Sequence, residues 1–121
     1  MVALESKSFD EPDEVRPFAD KGEARVVTLD GSMVSKARFE PGWRWSENVR
    51  PIAGTESCQS PHFLYVVSGQ MHVVMDDGTE GDARPDQVVR IAPGHDAWVV
   101  GEEACVTVDF GASPTYATSG S

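Results

Sequence analysis

The sequence predicts an all-β domain, either a sandwich or a barrel-like jelly roll. Three observations point there. Short runs rich in Val and aromatic residues recur along most of the chain, turn residues separate them at regular intervals, and no window of 11 or more residues carries a helical period. At 121 residues and 40% hydrophobic, the chain is long enough for one domain with one core.

The elements follow in order. Residues 1–22 are acidic and polar, with Pro12 and Pro17 and no apolar period, and read as a loosely held arm. An edge strand or a strand swapped between two copies is the alternative for that segment. The runs "ARVVTL", "MVSKARFE", "WRWSENV", "HFLYVV", "MHVVM", "QVVRI", "AWVVG" and "CVTVDF" then read as strands, giving eight or nine with no helices. "LDGS", "EPGW", "VSGQ", "DDGT", "APGH" and "VGEE" lie between them, and the "DG" and "PG" pairs supply the positive φ that tight turns require. The tail, residues 113–121, is small and polar and is expected to be flexible. There is no internal repeat and no sign of a second domain.

Net charge and composition narrow the partners. With 20 acidic against 10 basic residues the formal charge is -10, which opposes nucleic acid and anionic membrane surfaces. No apolar run approaches the length that spans a bilayer. The first residues show neither a basic flank nor a long apolar core, so a cytoplasmic location is expected. Cys58 and Cys105 stand far apart with no zinc-like pairing, and read as buried reduced thiols rather than a disulfide.

"HFLYVVSG", residues 62–69, and "DQVVRIAPGHDAW", residues 86–98, together with the turns around them, resemble the cupin family of small jelly-roll barrels. Cupin motif one reads G-x5-H-x-H, a short gap, then E-x6-G. Here His62 stands where the glutamate belongs and Gly69 is the closing glycine. Motif two reads G-x5-P-x-G-x2-H-x3-N. Asp86 stands at its first glycine, Ala92 at its proline, Gly94 at its second glycine and Ala97 at its histidine. The resemblance covers roughly residues 24–110 and implies a cupin domain over 23–112.

In metal-binding cupins the two motif-one histidines, the glutamate and the motif-two histidine hold the ion. Counting forward from Gly42 puts the H-x-H pair on Asn48 and Arg50, and this register keeps the "PG" turn in place. Counting back from His62 puts the pair on Glu56 and Cys58, so that Glu56, Cys58 and His62 form a three-ligand site. A carboxylate, a thiolate and an imidazole would suit zinc or iron, with manganese a further divalent choice, better than magnesium.

Each candidate residue has a chemical reason. His62 enters the barrel by family position and reads as a general acid or base. Arg50 could place its fork on a carboxylate ligand. Trp45, Tyr65 and Trp98, with Trp43, Phe63 and Phe110, could line a cavity for a flat or apolar ligand, or could be core and dimer contacts. His95 could touch a ligand if it folds over the barrel mouth. His72, between Met71 and Val73, is expected on the outer face. Glu47 and Glu56 are the carboxylates available for proton transfer, and a Cys58–His62 nucleophile pair would need only a loop that joins them.

Three functions follow. The first is a small cupin that binds an organic molecule in its barrel without metal, with acid–base chemistry of the isomerase, lyase or cyclase type. The second is a metal-dependent dioxygenase or lyase that uses Glu56, Cys58 and His62. The third is a non-catalytic ligand sensor or dimerisation domain. Small jelly rolls leave an open sheet edge, so a homodimer is expected.

Overall fold

The computed structural model describes residues 2–111 and residue 117. Among the described residues nine strands, all paired antiparallel, form two sheets. They are β1 (Glu14–Pro17), β2 (Gly22–Leu29), β3 (Ser32–Phe39), β4 (His62–Ser68), β5 (Met71–Met75), β6 (Glu80–Ala83), β7 (Val88–Ile91), β8 (His95–Val99) and β9 (Cys105–Asp109). The larger sheet runs β1-β2-β3-β9-β4-β7 and the smaller β6-β5-β8. This is the jelly-roll arrangement that the sequence predicts.

Period-two alternation decides what lies inside. On β4, Leu64 and Val66 are buried while Phe63 and Val67 are exposed. On β5, Met71 and Val73 point inward and His72 outward; on β8, His95, Ala97 and Val99 are buried. Strand β9 buries Cys105, Thr107 and Asp109. These faces meet in a core that Phe18, Phe39, Trp43 and Trp45 fill at one end, with Phe39 and Trp43 rings 4.5 Å apart. A fully buried aromatic of this size contributes on the order of 3 kcal/mol.

Three expectations about elements change. "WRWSENV" is not a strand: it carries the single turn α1 (Trp45–Asn48), followed by α2 (Arg50–Ala53). Asn48 Oδ1 accepts the Arg44 N–H at 2.9 Å, Pro51 sits in the first turn of α2, and Gly54 ends it in the left-handed region at φ 77°. Trp45, Val49 and Ala53 are all buried, an i, i+4, i+8 spacing that was readable in the sequence. Second, part of the segment read as a loose arm is the edge strand β1, paired with β2, with Arg16 and Phe18 buried beside it. Third, "EGDA" forms β6, which three exposed polar or small residues had hidden. The tail lies outside the described residues except for Ala117, which is buried. No helix among the described residues is long and apolar enough to cross a membrane.

Candidate metal centre

Backbone pairing brings Cys58 and His95 side by side. The Cys58 N–H donates to the His95 carbonyl at 2.7 Å, and the two residues form an isolated bridge. Directly opposed residues of a bridge project to one face, which sets the thiol against the imidazole. Gly94 allows this approach: it lies at φ 91°, and a Cβ there would stand 2.8 Å from Asp76 Oδ2. Asp76 also accepts the Ser57 hydroxyl at 2.8 Å and so tethers the loop that carries Cys58.

His62 arrives from the start of β4. Its ring lies 5.3 Å from that of His95, and its Nε2 lies 3.8 Å from Cys58 Sγ. Asp109 is opposite Leu64 across the β4–β9 pairing, so His62 is its diagonal neighbour on the same face. His62 Nδ1 donates to Asp109 Oδ2 at 2.6 Å. Asp109 Oδ1 accepts the N–H groups of Phe63 and Gly111 at 3.1 and 3.0 Å, which locks the carboxylate. His95 Nδ1 donates to the Ala92 carbonyl at 2.8 Å. Both imidazoles therefore spend Nδ1–H on an oxygen and keep Nε2 for whatever lies between them and the sulfur.

Electrostatics follow from this chain of contacts. Burial raises the Cys58 pKa, but the hydrogen bonds and charges of His62 and His95 outweigh it and bring it down to about 6. Burial pulls His62 down, yet its bonds to Asp109 and Cys58 lift it to about 9. Asp109 is raised by burial and lowered further by the His62 hydrogen bond and charge, ending below its ordinary value. Without a metal, Cys58 and His62 thus form a thiolate–imidazolium pair at neutral pH. Cys105 is the contrast, since burial pushes its thiol up to about 11.

This pair has a pH signature. The raised His62 pKa gives stability that is full below its ordinary 6.5 and lost as pH rises through about 9. The depressed Cys58 pKa gives stability present above its ordinary 9.0 and lost as pH falls through about 6. Between these limits the folded and unfolded pairs each hold one proton, on opposite partners, so the two slopes cancel. In Cys58→Ser only the His62 share remains, and stability relative to wild type is expected to decline as pH rises above 6.5. Denaturant melts of chelator-treated protein check this; parallel pH profiles for the two proteins would contradict the ion pair.

Among the described residues, Cys58, His62 and His95 form one group whose ligand atoms all lie within 4.8 Å of one another. Donors on a single zinc-sized ion stand roughly 3.3 to 3.6 Å apart. The Sγ–Nε2 distance is already near this, and a thiolate with two neutral imidazoles is a familiar soft donor set. Asp109 and the Ala92 carbonyl supply the outer oxygens that orient metal-binding histidines. The residues present fit a transition metal ion.

The site borders an internal cavity of about 40 Å³, whose wall includes Arg16, Phe39, Trp43, Trp45, His62 and His95. That is room for about three waters. Three buried side-chain atoms make no hydrogen bond among the described residues: Trp43 Nε1, Trp45 Nε1 and Ser60 Oγ.

The residues expected at the site divide sharply. His62, Cys58, His95 and Trp45 come together. Glu56 does not: its side chain is 96% exposed and pairs with Arg50 at 2.9 Å, so neither reaches the cavity. Tyr65 is on the outer face of β4 and donates to Asp86 at 2.8 Å. Trp98 is on the outer face of β8, under the Arg44 guanidinium at 4.2 Å and beside His72. His72, as expected, faces outward, donating to Asp82 and Glu80. Phe63 and Phe110 are exposed; of the aromatic residues expected in the cavity, Trp43 and Trp45 line it.

Asp109 and Arg16 were missed. The signal for Asp109 was present in "CVTVD", where alternation places an acid on the same face as Cys105 and Thr107. Cys58 is wholly buried, and it lies behind the imidazoles rather than on the cavity wall. A nucleophile there would have no path to a substrate.

No protein-family model and no curated protein matches the sequence. Solved structures do resemble the fold. A deletion mutant of oxalate decarboxylase from Bacillus subtilis superposes with a TM-score of 0.62 at 20% identity, over 96% of this chain and 32% of that one. A formate complex of oxalate decarboxylase from Lactobacillus farciminis gives 0.59 at 14% identity, over 90% and 33%. A cupin-like protein from Thermotoga maritima gives 0.52 at 18% identity, over 76% and 69%. The chain spans about a third of the two decarboxylases. At these identities the likeness establishes a cupin-type fold.

Proposed function

We propose, with the cupin-type fold as premise, that the chain is a metal-dependent small-molecule protein whose single divalent ion is held by Cys58, His62 and His95. The observation that carries this reading is the convergence of three donor atoms, with the Nδ1 of each imidazole already committed to an oxygen so that Nε2 is the nitrogen left for a metal. The chain's own residues have distinct duties. Cys58 contributes the negative charge, Asp109 orients His62, and the Ala92 carbonyl orients His95. The apolar barrel wall limits water around the site. When bound, zinc would supply Lewis acidity to a ligand entering from the cavity, and iron would add redox chemistry. Manganese, which prefers oxygen donors, suits this set poorly.

The metal-free acid–base reading is the weaker one. A general base acts best with a pKa near the working pH, and His62 at about 9 keeps its proton at neutrality. Lyase chemistry needs only Lewis acidity while dioxygenase chemistry needs a redox ion, so the native metal decides between these two classes.

The test is equilibrium titration of untagged, chelator-treated protein with zinc(II) and cobalt(II). One ion per chain is expected, with a thiolate-to-cobalt charge-transfer band. Binding that is substoichiometric, or cobalt without that band, would overturn the assignment.

A further inference from the structure

The two sheets leave a seam. Among the described residues β6 pairs only with β5 and β7 only with β4, so each is a sheet edge. Between these edges runs a groove of about 210 Å³, walled by Val73 and Met75 of β5, Gly81 of β6, and Val89 and Ile91 of β7. Ile91 is buried and also lines the internal cavity, so it stands between the groove and the space beside His62 and His95. Strand β6 is the weaker bank, since it is four residues long, three of them are exposed, and it is held from one side.

His72 fastens that strand. From the outer face of β5 its Nδ1 donates to Asp82 Oδ1 at 2.7 Å and its Nε2 to Glu80 Oε1 at 2.9 Å, both on β6. Ionised carboxylates only accept, so both bonds exist together only when the ring carries two protons. Other charges stand around this clasp: Arg84 shares Asp82 at 3.3 Å, and on β8 His72 faces Trp98, which lies under Arg44, itself paired with Asp96 at 3.6 Å. The hydrogen bonds to Asp82 and then Glu80 raise the His72 pKa above its ordinary 6.5. The clasp is therefore complete below 6.5 and is lost as pH rises through the raised value, when one carboxylate meets a bare ring nitrogen.

We infer that β6 is a strap over this groove, fastened by doubly protonated His72 and released when the ring loses a proton, and that the groove is the way into the cavity. As an entrance for metal this rests on the metal reading above; as a moving strap it has its own readout. Strands β2 and β3, paired along eight residues each in the other sheet, are the internal control.

Amide hydrogen exchange on the metal-free full chain between about pH 6 and 9, corrected for intrinsic rates, tests the strap, with the His72 ring signals giving its titration in the same samples. Protection of the β6–β5 amides is expected to fall about fivefold as His72 loses its proton, while the β2–β3 amides keep theirs. In His72→Gln, β6 protection should be low and independent of pH. The entrance is tested by the rate of cobalt(II) uptake, taken as the ratio of His72→Gln to wild type so that protonation of the metal ligands cancels. That ratio should be about fivefold at pH 6 and fall to one at pH 9. Wild-type β6 protection that ignores the His72 titration, or a fall shared equally by β2–β3, would overturn the strap even if the variant does not fold. A rate ratio of one at pH 6 would overturn the entrance. Protein that takes up no cobalt would overturn the metal reading, and the exchange profile would still decide the strap.

Discussion

Cys58→Ala is expected to lower zinc affinity by about a hundred- to a thousandfold and to abolish the cobalt–thiolate band. The magnitude follows from structural zinc sites, where four ligands share an apparent 10–16 kcal/mol, or about 2.5–4 kcal/mol each. Two further substitutions make the result specific. Glu56→Ala should leave affinity unchanged, because that carboxylate is exposed and bound to Arg50. Cys105→Ala should also leave it unchanged, because that buried thiol is not among the converging donors. His95→Ala should match Cys58→Ala. Competition titrations against a chelator of known affinity measure all four. A Cys58→Ala protein that keeps its zinc would overturn the thiolate ligand in both sets, and a Glu56→Ala protein that loses it would return the ligand set to the one expected from motif spacing.

The second large effect concerns the fold. Gly69 closes "HFLYVVSG", lies at φ 75°, and follows a register shift in the β4–β9 pairing between Val66 and Ser68. A Cβ there would run into the Ala104 carbonyl oxygen and stand 2.6 Å from Cys105 Cα. Both obstacles are backbone, so no side chain can swing aside. Gly69→Ala is expected to destabilise the protein by about 3 kcal/mol or more, a drop in melting temperature of about 10 °C or more. Gly78 has a similar φ of 91° with nothing within 4 Å, so Gly78→Ala isolates the backbone strain at about 1 kcal/mol. Gly81, with neither constraint, should tolerate Ala. Thermal melts in which Gly69→Ala tracks Gly78→Ala would show that the turn gives way.

The strands were legible because burial on one face writes period two into the chain: "HFLYVV", "MHVVM" and "CVTVDF" appear where they were expected. Strands β1 and β6 were less so, since edge strands with exposed residues carry little apolar pattern. The helical turns at 45–53 were misread because aromatic richness was weighed over spacing.

The sequence alone determined the all-β class, the glycine turns and the inward position of His62, since each depends on local propensity, alternation or a short motif. Only the tertiary structure decided what surrounds His62. Cys58, His95 and Asp109 lie 4, 33 and 47 residues from it, and their meeting depends on the strand pairing and register that bring those segments together. Counting along the chain offered Glu56 with equal plausibility to Cys58. Pairing with His95 turned the thiol inward, and an exposed ion pair with Arg50 held the carboxylate in water.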